Sequence, residues 1–333
     1  MAEKIVAALA KKNDFSEQMG FQKKSNIVFF GTSAFAARVL RDLIHQNVNI
    51  CAVVTRPDKP KGRSLNLLPP PVKEESLKHS LPIYQPSKAS TTEFAEILKN
   101  HQPDLFVVVA YGEIIKTLIL DIPKKGCINV HASLLPKYRG ASPIQRVLMN
   151  GEKETGVTIM QMVLEMDAGD MLSVVKTPIT EDMTFGELDQ KLSEIAVPAL
   201  IQVIDQIDKG CAIAVPQDHA LATFAPKLTA AEEEVHWERP AKELHNLIRA
   251  LSPFPGAWCF IQMGSEKKRL KIKLSKFLPQ LQGKPGEVLS LSKQELIIAC
   301  GQGALQLLQV QLEGKKMMSI KDFLQGLHIS IIF

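Results

Sequence analysis

Ile27-Val28-Phe29-Phe30-Gly31-Thr32-Ser33-Ala34-Phe35-Ala36 opens with apolar residues, breaks at a glycine and resumes with small side chains. An apolar run with no polar alternation predicts a strand over Ile27–Gly31 that is buried on both faces. Apolar positions at helical spacing predict an amphipathic helix over Ala34–His45, and Ile50–Val54 reads as the next strand. Strand, helix and strand in this order form a βαβ unit. The first turn carries one glycine where a dinucleotide fingerprint needs three, so a nicotinamide-dependent dehydrogenase is a poor second reading and Gly31 serves the tight turn.

Further apolar strands at Leu105–Ala110, Cys127–Val130 and Val157–Val163 alternate with helical stretches. The expected class is α/β, a Rossmann-like, doubly wound and mostly parallel sheet that places ligands at the C-terminal ends of its strands. Ser142-Pro143 supplies an N-cap and first-turn pair. Thr184-Phe185-Gly186-Glu187 is a capping box opening a long helix, expected to kink before Pro198 and to end at Lys209-Gly210. Residues 210–238 read as a linker with a second capping box at Thr229 to Glu232. After Pro253-Phe254-Pro255-Gly256 the segments shorten and alternate, and Glu295–Cys300 with Ala304–Leu312 predict a hairpin. The division is therefore an N-terminal extension over 1–24, expected to be poorly ordered, a first domain over 25–209, the linker, and a small OB-like β-barrel over 239–333.

Charge separates the same parts. Residues 239–333 hold 14 Lys and Arg against 6 Asp and Glu, whereas residues 1–238 hold 26 against 29. A basic surplus confined to the last third suits contact with a polyanion. Five widely spaced cysteines without a Cys-x-x-Cys pair point to a reducing cytoplasm and away from a disulfide framework or a metal site. No apolar run approaches the roughly 18 residues of a membrane span. A monomer is the default expectation. The extension carries acids among its lysines and lacks the pattern of a signal peptide, and Met19 is a candidate start.

The chemistry concentrates in Gly126-Cys127-Ile128-Asn129-Val130-His131-Ala132-Ser133-Leu134-Leu135-Pro136-Lys137-Tyr138-Arg139-Gly140, with Asp167 in Met166-Asp167-Ala168-Gly169-Asp170. Residues two apart in a strand face the same way, so Asn129 and His131 project together. An amide donor and an imidazole can bind a carbonyl oxygen and manage the proton released when an amine attacks that carbonyl, while a carboxylate orients or charges the imidazole. Asp170 is a rival to Asp167, and turn capping is the bland reading of both. Arg139 reads as a binder of anionic substrate groups or as a solvated cation.

These motifs resemble the folate-dependent formyltransferases, over roughly residues 25–325. Ile27 to Thr32, the loop Arg56-Pro57-Asp58-Lys59-Pro60-Lys61-Gly62-Arg63, Val107 to Gly112 and Gly156 to Met162 are similar to the branch whose acceptor is methionyl-tRNA. The resemblance implies formyl transfer from 10-formyltetrahydrofolate, a co-substrate, to initiator methionyl-tRNA, with Asn129, His131 and Asp167 catalytic. It implies a folate pocket lined by Val109, Ala110, Tyr111, Gly112 and Ser133, Leu134, Leu135, Pro136, and a tRNA-binding loop carrying Lys59, Lys61 and Arg63. Arg269-Leu270-Lys271-Ile272-Lys273-Leu274 alternates strictly, which predicts a basic face of Arg269, Lys271 and Lys273, without interleaved aromatics, for tracking phosphates. An amino-sugar-nucleotide formyltransferase and a non-catalytic RNA-binding protein are the alternatives.

Overall fold

A computed structural model describes residues 24–61, 66–325 and 331–332. The N-terminal extension up to residue 23, Met19 as a start, Arg63 and most of the apolar C-terminal tail lie outside them. The first part of the chain contains β1 (Ile27–Gly31), α1 (Ala34–His45), β2 (Ile50–Val54), β3 (Lys59–Lys61), β4 (Asn66–Leu68), α2 (Pro71–Lys78), β5 (Ile83–Tyr84) and α3 (Thr92–Asn100). It continues through β6 (Leu105–Val109), α4 (Thr117–Leu120), β7 (Cys127–His131), α5 (Pro143–Met149), β8 (Glu154–Gln161), β9 (Met171–Pro178) and α6 (Phe185–Asp208).

The main sheet has the order β5-β2-β1-β6-β7-β8-β9. Its first five strands are parallel, and every residue of β1 is buried, as its unbroken apolar sequence demands. The chain winds outward from β1 through β2 to β5, then returns to β6 on the other side of β1, so a switch point opens at the carboxyl ends of β1 and β6. Helices α1 and α6 cover one face with Val39, Leu40, Leu43, Leu192, Leu200 and Val203. Phe94, Leu98 and Ile119 cover the other beside Phe30 and Phe106. A Cβ on Gly31 would stand 2.6 Å from the Phe29 ring and 2.9 Å from Ala36, so that glycine serves close packing at the turn.

Two expectations change in detail. The strand predicted over Val157–Val163 is β8, shifted to Glu154–Gln161, and it runs antiparallel to β7; β9, which the sequence pattern did not suggest, follows antiparallel to β8. The Thr184–Glu187 capping box forms as predicted, and α6 continues through Pro198 to Asp208. Ser142 stands at the N-cap of α5 without a side-chain capping bond; its backbone amide instead donates to the carbonyl of Ala225.

The last third comprises α7 (Ala241–Ala250), β10 (Ala257–Met263), β11 (Glu266–Leu278), β12 (Val288–Leu291), β13 (Leu296–Ala299), β14 (Ala304–Leu312), β15 (Met318–Ser319), α8 (Ile320–Gln325) and β16 (Ile331–Ile332). Its antiparallel sheet, β12-β13-β14-β11-β10-β16 with β15 on β14, is a half-barrel whose core gathers Leu244, Leu247, Leu270, Ile298 and Leu305. The predicted hairpin is β13–β14. Helix α7 also docks on the first part: buried Arg249 donates to the carbonyls of Leu148 and Met183, at 3.3 and 3.2 Å. Residues 210–238 are strapped to the main sheet and its loops through an antiparallel bridge between Met171 and Val215 and a parallel one between Arg139 and Phe224. Among the described residues no helix is long and apolar enough to cross a membrane.

Candidate active site and nucleic-acid face

Strand β7 ends at the carboxyl edge of the sheet, next to β6 and its Val109–Gly112 turn. His131 is its last residue and is 5% exposed; Asn129, two positions back on the same strand face, is half-buried. The Nε2 atom of His131 lies 2.9 Å from the Tyr138 carbonyl. A carbonyl oxygen only accepts, so Nε2 carries the hydrogen and Nδ1 is left to exchange protons. Nδ1 faces Oδ2 of Asp167 at 3.6 Å, an ion-pair distance rather than a hydrogen bond. The structure thus brings His131 to Asp167, and no contact of His131 with Asp170 accompanies it.

Asp167 sits in a tight turn with φ +53°, in the left-handed region that costs a non-glycine residue about 1–3 kcal/mol. Its Oδ2 accepts the Gly140 backbone N–H at 2.8 Å. Ser133 to Pro136 is pinned from β8: Thr158 donates its hydroxyl to the Ser133 carbonyl at 2.7 Å and accepts from the Leu135 N–H at 3.2 Å. A Cβ on Gly156 would meet the Val175 carbonyl at 2.0 Å and Leu134 Cδ2 at 2.5 Å, which explains a glycine in the middle of β8. On the β6 side Val109 and Tyr111 are buried while Ala110 and Gly112 are exposed in left-handed conformations. The Tyr111 hydroxyl is held by burial well above the usual phenol range. Ile114, Val163, Leu164 and Met166 expose apolar surface on the loops around this edge.

Arg139 corrects both sequence readings. It is 2% exposed, so it is neither a solvated cation nor open to a substrate anion; its guanidinium is engaged by Gln217, His219 and Glu165. Gln217 carries no signal in the sequence, because no motif surrounds it in the connector and its role arises only from a contact 50 residues away.

A model of the formyl transferase domain matches residues 24–204, and a model of the formyl transferase C-terminal domain matches residues 227–328. The chain belongs to the formyl transferase family. It is 51% identical to methionyl-tRNA formyltransferase of Protochlamydia amoebophila over 92% of this chain and 96% of that protein. It is 44% identical to the Moorella thermoacetica protein of the same name, over 90% and 96%. Among solved structures, WlaRD, a sugar 3N-formyl transferase, superposes with a TM-score of 0.62 at 19% identity, covering 88% of this chain and 99% of that one. HypX from Aquifex aeolicus in complex with tetrahydrofolic acid gives 0.61 at 19% identity, over 92% and 48%. At such identity these two share the fold alone.

Two further surfaces of the formyl transferase depart from expectation. Within the stretch Arg56–Arg63, expected as a loop, Lys59–Lys61 form the first arm of a two-stranded ribbon in which Lys59 pairs with Leu68 and Lys61 with Asn66. Its base is anchored: Arg56 donates to the Gly112 carbonyl at 2.7 Å, and Asp58 accepts from Gln85 and Lys73 at 2.7 and 2.8 Å. Those bonds, with Gln85 first and Lys73 second, hold the Asp58 carboxyl below its ordinary range. Lys59 remains exposed.

In β11 the strict alternation fails at Lys273. Ile272 pairs with Val310 and Leu274 with Gln309, so two residues of β11 oppose one step of β14. Such a bulge turns the following residues onto the opposite face. Lys273 is consequently 5% exposed, donating from Nζ to the carbonyls of Pro253 and Pro255 at 2.8 and 3.2 Å, and it leaves the predicted basic face. Burial, seconded by neighbouring Lys271, holds its pKa below the ordinary lysine value. Lys271 is half-buried and donates to the Pro255 carbonyl at 2.9 Å. The expected absence of aromatics is also overturned. Strand β10 sets Trp258 and Phe260 under the cations, with Arg269 4.2 Å from the Trp258 ring centre and Lys267 4.4 Å from that of Phe260. Both aromatics lie on the neighbouring strand, β10, and are invisible to a reading of β11 alone, because the interleaving runs across strands.

Proposed function

We propose that the chain transfers the formyl group of 10-formyltetrahydrofolate to the α-amino group of methionine esterified on initiator tRNA. The observation that carries this reading is the His131 imidazole with Nε2 committed to the Tyr138 carbonyl and Nδ1 turned toward Asp167, on the strand face it shares with Asn129. Asn129 donates to the formyl oxygen as negative charge builds there. Nδ1 of His131 takes the proton that the attacking amine must lose, and the Asp167 carboxylate stabilises the imidazolium so formed. The same proton then serves the departing folate nitrogen, leaving His131 as it began. Residues 25–209 carry this chemistry and residues 239–333 hold the tRNA.

Val109 to Gly112 and Ser133 to Pro136 frame the folate. The chemistry of the edge fits a flat, polar-rimmed heterocycle: exposed backbone at Ala110 and Gly112, and apolar cover from Ile114, Val163 and Met166. Lys59 and Lys61 on the ribbon, with Arg63 of the same basic stretch and with Arg269 and half-buried Lys271, meet the tRNA. Lys267 and the Trp258–Phe260 pair extend that face, giving it a stacking surface as well as charge. The name shared by relatives at 44–51% identity supports this acceptor over an amino-sugar nucleotide.

The test is a transfer assay with 10-formyltetrahydrofolate and three acceptors: charged initiator tRNA, uncharged tRNA and a nucleotide-linked amino sugar. Formylmethionyl-tRNA as the sole product sustains the reading. Formylation of the sugar, or RNA binding without turnover, replaces it.

A further inference from the structure

We infer that Gln217, in the connector between the two parts of the chain, is a positioning residue that sets the Asp167 turn against His131. The inference rests on the catalytic reading of Asp167 given above. Gln217 is 4% exposed, and both the amide nitrogen and the amide oxygen of its carboxamide are engaged, the nitrogen by one turn and the oxygen by Arg139. Its Nε2 donates to the carbonyls of Asp167 and Gly169, at 2.8 and 2.7 Å, so it brackets the Asp167-Ala168-Gly169 turn from both ends. Its Oε1 accepts from Nη2 and Nε of Arg139, at 2.7 and 3.2 Å. A planar guanidinium fork fixes the rotation of the amide, which leaves Nε2 no direction but the turn.

The clamp closes on itself. The residue after Arg139 is Gly140, whose N–H holds the Asp167 carboxylate, while Arg139 holds the glutamine that holds the Asp167 backbone. One dipeptide therefore governs both ends of the residue. The far side of the turn has no slack, because a Cβ on Gly169 would stand 1.9 Å from the Gln161 carbonyl of β8. Asp167 keeps its left-handed conformation only where the surroundings over-determine it, and Gln217 supplies side-chain bonds to the backbone of the turn from outside its own loop. The connector is itself held in place here: the Arg139 N–H donates to the Thr223 carbonyl at 2.9 Å and the Ala225 N–H to the Arg139 carbonyl at 2.7 Å.

The test uses the full chain and a double-mutant cycle of Gln217→Met with Asp167→Ala, reading kcat and both KM values in the formylation assay. Gln217→Met lowers kcat by about 10- to 100-fold while each KM stays within about threefold, the signature of lost geometry at the reacting atoms. In the Asp167→Ala background the same substitution changes kcat by less than about threefold, because its effect travels through a side chain no longer present. Gln217→Glu preserves volume and the Arg139 contact but cannot donate to the two carbonyls. It loses kcat as Gln217→Met does, and carries the test should the methionine variant fail to fold. Full kcat in Gln217→Glu or Gln217→Met beside a crippled Asp167→Ala overturns the inference alone, as does a loss that multiplies fully with Asp167→Ala. Full activity of Asp167→Ala overturns the catalytic reading and the inference with it.

Discussion

At the end of β7, His131 has both ring nitrogens facing fixed partners, and the carboxylate beside it is held through its backbone and its side chain. On the outer face of β10 and β11, Arg269 and Lys267 lie over the rings of Trp258 and Phe260 with their charged ends in reach of water. Buried polar groups tolerate one geometry, since each lost partner leaves a desolvated group unpaired. Exposed cations on flexible stems tolerate many and add their effects nearly independently. Acid–base chemistry suits the first kind of surface and polyanion capture the second.

The difference predicts very unequal responses to substitution. His131→Ala should lower formylation turnover by roughly 10²- to 10⁴-fold with the melting temperature little changed; near-normal turnover in a steady-state assay would remove the residue from the mechanism. Asn129→Ala should cost about 10²- to 10³-fold, the loss of one donor to the developing oxyanion, again in kcat rather than in KM for tRNA. The double variant Lys267→Ala with Arg269→Ala should leave kcat alone, raise KM for tRNA, and flatten the slope of log affinity against log salt by about 1 to 2. An unchanged slope would strip the β10–β11 face of its role.

Lys273→Met sharpens the contrast from within β11, because it removes a cation that the bulge has already withdrawn from solvent. It should destabilise the protein by about 1–3 kcal/mol through the unpaired Pro253 carbonyl, since Pro255 keeps its bond from Lys271, and leave the salt slope as it was. A smaller effect belongs to His245 on α7, whose ring nitrogens face the Ser275 hydroxyl and the Glu181 carbonyl and Asp182 carboxylate. Burial holds its pKa below the ordinary histidine value. In the window below that value the unfolded chain takes a proton that the folded one resists, so this contribution to stability falls as pH falls, by at most about 1.4 kcal/mol per pH unit. Melting temperatures measured from pH 7.5 to pH 5 should therefore drop less steeply in His245→Gln than in the parent; parallel curves would show that the histidine does not titrate with unfolding.

Much of the architecture is readable along the chain. The βαβ start, the capping box of α6 and the β13–β14 hairpin follow from local apolar spacing and turn chemistry, which act over a few residues. Asn129 and His131 share a face by strand geometry alone, and the family resemblance singles out Asp167 over Asp170. Other features are not local. The antiparallel sense of β8 depends on how the chain returns to the sheet, and β9 is half exposed and weakly patterned. Arg139 looks like a surface cation until its partners arrive from residues 165, 217 and 219.

From linear order alone come the class of fold, the basic last third and the amide–imidazole pair, because composition, periodicity and spacing are properties of neighbours in the chain. The folded arrangement settled which charges are spent inside and which face outward. A single bulge turned Lys273 into a buried clasp, Trp258 and Phe260 reached the cations only by lateral strand pairing, and Gln217 met the Asp167 turn only through the path of the connector. Burial and cross-strand contact depend on residues far apart in the chain, and no local pattern encodes them.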